Sequence, residues 1–254
     1  MFLSLLLACT PDTVTLRGTV VDVWGAPIAA ASVVIEGQVE RFPADAEGAF
    51  TIPTERASSW RLLAGKQGYI RDIETVAGPA AGDPAPIRFE LYPKPERPGF
   101  YAVGAAAYGH LPARRIVVEA TGATVRTGLA AGPREALEPG VRRFVFTSTL
   151  RSSELGSLGL RLTRLAEPPA PPTKPGRTPP KTPPPPPLWT ASADVDIEVT
   201  ALPSPDDYLV TTAPLDPGVY AFHSRDALTL TDAAAVEALP KELLLAHVFE
   251  IPTG

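Results

Sequence analysis

The chain has 254 residues, 44% hydrophobic and 20% charged, enough for one large or two ordinary domains with real cores. Its formal charge of −5 argues against a nucleic-acid partner, which needs a basic surface for phosphate contacts. A single cysteine, Cys9, leaves no disulfide framework and no cysteine-based metal site.

Six of the first eight residues are large and apolar, and Thr10-Pro11-Asp12 follows as a polar breaker. The run ends in Leu6-Leu7-Ala8-Cys9, which resembles the lipobox of a bacterial lipoprotein signal. The resemblance implies a signal peptide over 1–8, lipid on the Cys9 thiol as the new N-terminus, and a tether over 9–13. Two or more acyl chains suffice for stable attachment. Thr10 is not the aspartate that favours inner-membrane retention in that family, so the implied address is the outer membrane of the cell envelope. The competing reading makes Phe2–Leu7 a buried strand and Cys9 a core thiol. No later stretch reaches the roughly 18 apolar residues of a membrane helix, so anchoring is expected at the N-terminus alone.

Residues 14–93 read as short strands about every ten residues, with turns between and no helical period. The expected strands are Val14–Val21, Ala31–Ile35, Gln38–Phe42, Ala49–Ile52, Trp60–Lys66, Ile70–Val76 and Ile87–Tyr92. Val23–Pro27, Asp45-Ala46-Glu47-Gly48 and Gly65–Tyr69 supply turn chemistry. The segments LRGTVVDVWGAPIAAASVVIEG, ADAEGAFTI and LLAGKQGYI resemble, in order, the carboxypeptidase regulatory-like domain. That resemblance implies a transthyretin-like, seven-stranded sandwich acting as a scaffold or docking module. Trp24 at a turn is costly to leave in water, so it is expected to contact a sugar ring, a partner or the second domain. Asp45 and Glu47 supply too few oxygens for Ca²⁺ and read as a solvated turn.

Lys94–Pro98 reads as a linker, and 99–254 as a second β-rich domain, a sandwich or barrel. Its expected strands are Phe100–Val103, Arg115–Ala120, Val141–Thr147, Leu158–Leu165, Val195–Ala201, Tyr208–Thr212, Val219–Phe222 and Leu244–Ile251. Asp232–Leu239, stopped by Pro240, is the one expected helix. Residues 168–187 hold 12 prolines in 20 positions, with Lys174, Arg177 and Lys181 and no acid. Such a stretch favours polyproline II or disorder, reaching about 60 Å fully extended at ~3.1 Å per residue, or folding into two arms at Pro175-Gly176. Spacer or loop is the expected role, with contact to acidic polymers or to a proline-binding groove as others. Pro98–Val103 and Pro217–Phe222 share a Pro-Gly-apolar-Tyr-Ala-apolar pattern, open to half-domain duplication or to two independent turn–strand units.

His247-Val248-Phe249-Glu250 spells the two-ligand motif of zinc carboxypeptidases, but positions i and i+3 of a strand face opposite sides. No histidine follows to complete a catalytic zinc site. His110 and His223 have no partner at informative spacing, and no serine lies in a nucleophile-elbow context. No cofactor or metal is implied. The expected function is a non-enzymatic, membrane-anchored envelope lipoprotein, structural or protein-docking. The alternatives are a glycan- or peptide-binding surface lipoprotein, using Trp24 or Trp189, and a hydrolase with an unrecognised site. Envelope proteins or polysaccharide are the expected partners.

Overall fold

The structure, a computed structural model, describes residues 12–121, 124–132, 134–148, 159–168, 187–225, 227–228 and 244–253. The protein is all-β, and the described residues include no helix. The expected helix over Asp232–Leu239, Cys9 and all of the proline segment except Pro168 and Pro187 lie outside them. The chain divides into two compact units after Lys94, with Leu202–Ser204 grouped with the first.

The first unit has seven strands: β1 (Thr13–Asp22), β2 (Ser32–Ile35), β3 (Phe42–Pro43), β4 (Ala49–Glu55), β5 (Ser59–Gly65), β6 (Asp72–Ala77) and β7 (Ile87–Leu91). They form two sheets, in the orders β4-β1-β7 and β3-β2-β5-β6. Alternate residues point inward, as a pleated strand requires. Leu16 and Val20 of β1, Val33 of β2, Ile52 of β4, Leu62 of β5 and Phe89 of β7 are fully buried in one core. β1 pairs antiparallel with β4 and parallel with β7, and the two ladders overlap at Gly18 and Thr19. A Cβ on Gly18 would lie 2.1 Å from the Ile87 carbonyl oxygen, so only glycine admits this close approach. One device builds two turns: Asp22 Oδ1 accepts from the amides of Trp24 and Ala26, and Asp45 Oδ1 from those of Glu47 and Ala49. The strand expected over Gln38–Phe42 is corrected to the two residues of β3. Val39 there is 95% exposed, so those residues bury nothing that would hold a ladder.

The second unit opens with β8 (Gly99–Val103), β9 (Tyr108–Leu111), β10 (Ala113–Arg115), β11 (Val117–Thr121), β12 (Thr124–Ala130), β13 (Glu135–Ala136) and β14 (Arg143–Thr147). It continues with β15 (Arg161–Ala166), β16 (Leu188–Val195), β17 (Ile197–Ala201), β18 (Asp207–Thr212), β19 (Gly218–His223) and β20 (Leu245–Ile251). A five-stranded sheet runs β17-β18-β14-β8-β9, and an eight-stranded sheet runs β10-β20-β19-β15-β16-β12-β11, with β13 on the β20 edge. Between the sheets lies an aromatic core. Phe100 stacks on Phe146 at 4.2 Å and on Phe222 at 4.5 Å, while Phe144 and Tyr220 both pack on Phe249. The other face of the eight-stranded sheet carries a second core of Ile116, Leu129, Leu165, Val219, Ala221, Ala246 and Val248, joined by Ala227 and Leu228. β19 is therefore buried on both faces.

The single strand expected over Val195–Ala201 is corrected to parts of two. β16 ends at Val195 in one sheet and β17 begins at Ile197 in the other, with Asp196 at the crossing. β9, β10, β12, β13 and most of β16 add to the expected strands. β16 carries a bulge at Ser192, whose hydroxyl donates to the Arg164 carbonyl; it pairs with β15 on one edge and with β12 on the other. Ala166 of β15 pairs directly with Thr190 of β16. The proline segment thus joins two neighbouring strands of one sheet: it is a hairpin connection within one unit.

Candidate functional site

Trp24 follows β1 and is half-buried, its amide held 2.9 Å from Asp22 Oδ1. Trp189 lies in the other unit, on β16. It packs on the second core, and the Arg134 guanidinium sits over its ring, 4.9 Å from the centroid. Arg134 is held by an ion pair of 2.7 Å from Nε to Glu250. Arg114 of β10 donates to the carbonyl of Ala130, the last residue of β12. β10 begins the order of the eight-stranded sheet and β12 lies next to its end. The curled sheet therefore closes on a seam of side chains, Arg114 to Ala130 and Arg134 to Trp189, in place of a ladder. Burial, and then the neighbouring Arg134 charge, push the Arg114 guanidinium below its ordinary value.

His247 and Glu250 do point to opposite faces of β20. His247 faces the aromatic core side, 4.9 Å from the Phe100 ring, with Nδ1 donating 3.1 Å to the Leu111 carbonyl. Glu250 is across the sheet on Arg134. Burial lowers the His247 pKa, with His110 adding to the shift and the Leu111 bond opposing it. Among the described residues no cluster of three metal-ligating side chains occurs.

His223 has a partner that spacing did not reveal. Its Nε2 lies 2.7 Å from Thr163 Oγ1, and its Nδ1 donates 2.7 Å to the Ser224 carbonyl. Thr163 also lies 3.1 Å from Asp194 Oδ1, and Arg161 pairs with Asp194 at 2.8 Å. With Nδ1 committed as a donor, a neutral ring offers Nε2 as acceptor, and the single Thr163 proton must choose between it and Asp194. Thr163 is 1% exposed and His223 3%, so this chain is sealed from any substrate as it stands. The same corner carries a shallow cleft lined by Arg161, Asp194, Asp196 and Arg225.

A strip of partly exposed aromatic rings lies on the β8–β9 hairpin. Tyr101 pairs across the ladder with His110 and lies diagonally from Tyr108, with ring centroids 5.0 and 5.8 Å apart. Both tyrosines are half-buried and His110 is exposed. The Tyr101 hydroxyl donates 2.9 Å to the Arg97 carbonyl. The available signal was alternation, Tyr108 and His110 falling on one face of a strand interrupted by Gly109.

No family model matches the chain, and no curated protein matches it. Among solved structures it is similar to the major pilin subunit of Bacillus cereus, with 11% identity over 96% of this chain and 70% of that one, at a TM-score of 0.27.

Proposed function

We propose that the protein is a non-enzymatic lipoprotein of the bacterial cell envelope, anchored at the outer membrane through Cys9 and serving as a structural or protein-docking component. Its first unit, a two-sheet, seven-stranded sandwich, would be the carboxypeptidase regulatory-like scaffold. The observation that supports this reading most is where the reactive side chains are spent. His247, Glu250 and the Thr163–His223 pair are each committed to separate structural bonds and do not converge on one accessible point. Labelled palmitate should enter the wild type, and Cys9→Ser should abolish labelling and release the chain from membranes. Crosslinking in whole cells should then trap a protein neighbour only for the anchored form. Equal retention of both forms without label would refute the anchor, and an anchored chain with no protein neighbour would refute docking.

The Tyr101–Tyr108–His110 strip favours a second reading, a glycan- or peptide-binding face, because half-exposed aromatic rings stack on sugar or peptide planes. Tyr108→Ala abolishing retention on a polysaccharide column would shift the assignment to that face.

A further inference from the structure

Arg114 pairs with Ala246, whose side chain belongs to the second core, so its own side chain runs along the inner side of the curled sheet. Its guanidinium is half-buried, donates to the Ala130 carbonyl, and meets no carboxylate among the described residues. Arg134 reaches the same corner. Ala130 pairs with Leu188 and Leu129 with Trp189, the ring beneath Arg134. One guanidinium thus sits on Ala130 and the other over the pairing partner of the residue before it. Arg134 spends Nε on Glu250, which leaves its terminal amino groups outside that pair. Glu135 pairs with Phe249 and so belongs to the other face.

Two neighbouring cations, one of them half-buried and without an acid among the described residues, are an arrangement that an added anion would relieve. The fork of a guanidinium matches the oxygens of a carboxylate or phosphate, and two forks at one corner can hold one oxyanion from two sides. We propose that Arg114 and Arg134 form a binding site for an oxyanion, a carboxylate or phosphate group carried by an acidic polymer. The site does not depend on the lipid anchor and is testable in soluble protein. The direction of the Arg114 shift agrees with it, since a bound oxyanion stabilises the charged form that burial disfavours.

The test is calorimetric titration of the full chain carrying Cys9→Ser with polygalacturonate, with polyphosphate and with inorganic phosphate. Binding of at least one polymer is expected, with affinity falling about tenfold or more in Arg114→Gln and partly recovering in Arg114→Lys. Arg115→Gln is the control: Arg115 is exposed and next along β10, so it faces the opposite way, and its loss should change affinity by less than about twofold. Saturation by polygalacturonate alone would assign the carboxylate source, and by polyphosphate alone the phosphate source. No binding of any of the three would overturn the site. Equal losses for Arg114→Gln and Arg115→Gln would overturn it as well, showing a diffuse cationic surface. Should Arg114→Gln fail to fold, Arg134→Gln carries the same comparison.

Discussion

Pro98–Val103 and Pro217–Phe222 share a sequence pattern and a local geometry, and differ in what their side chains meet. In both, a glycine of positive φ, 149° at Gly99 and 158° at Gly218, leads into the strand. In both, the tyrosine hydroxyl donates to the carbonyl four residues upstream, Tyr101 to Arg97 at 2.9 Å and Tyr220 to Asp216 at 2.8 Å. Yet Phe100 and Ala102 face the aromatic core while Tyr101 points away, whereas Tyr220 and Phe222 face that core while Val219 and Ala221 face the second. A duplicated half-domain would keep equivalent positions on equivalent faces. The pattern therefore encodes a turn and its first bond, and the partner strands decide which face is buried.

Truncation gives the largest contrast. Tyr220→Ala removes a ring that is 2% exposed and stacked on Phe249, and should cost about 3 to 5 kcal/mol. Tyr101→Ala removes a half-exposed ring and should cost about 1 kcal/mol. Urea denaturation checks both, and equal losses would break the comparison. Removing only the hydroxyl should erase the difference: Tyr101→Phe and Tyr220→Phe each lose one bond to a carbonyl, about 1 kcal/mol apiece.

Titration sharpens the same contrast with smaller effects. Burial pushes the pKa of both tyrosines up, opposed by the Arg97 charge at Tyr101 and by the Arg164 charge at Tyr220. The folded value lies above the unfolded value near 10, so this contribution is fully present below pH 10 and is lost as pH rises through the folded value. The alkaline fall in melting temperature should be shallower in each Tyr→Phe variant than in the wild type. His247, paired across the ladder with Phe222, gives the opposite sign. Its folded pKa is lowered, so the unfolded chain binds the extra proton and stability falls as pH drops below about 6.5. His247→Phe should flatten that acid limb, and an unchanged limb would remove His247 as its cause.

The first unit was largely legible because β2, β4, β5 and β7 alternate cleanly and two of its turns are built by residues inside them, Asp22 and Asp45. The second was read less completely, and the reasons are physical. β12 was missed at Gly128, where a Cβ would come 2.7 Å from the Trp189 carbonyl oxygen: the glycine that looks like a breaker is what lets β16 approach. β16 follows directly on prolines, and its bulge at Ser192 spoils the period. The seam was not legible at all. It joins Arg134 to Glu250 and Trp189, and Arg114 to Ala130, contacts that only the curl of the sheet creates. The Thr163–His223 bond, spanning 60 positions, comes from the pairing of β15 with β19, which spacing along the chain does not show.

The pairing of Ala166 with Thr190 has a consequence for chain continuity. β15 and β16 are held together by their own ladder, so their pairing should not need the covalent link between them. A protease cut there, or new termini placed there by circular permutation, should leave a nicked but cooperatively folded second unit. Two separately expressed halves should reassociate through β15 and β16. The same hairpin can accept a longer insert at a closure cost that grows only with the logarithm of its length.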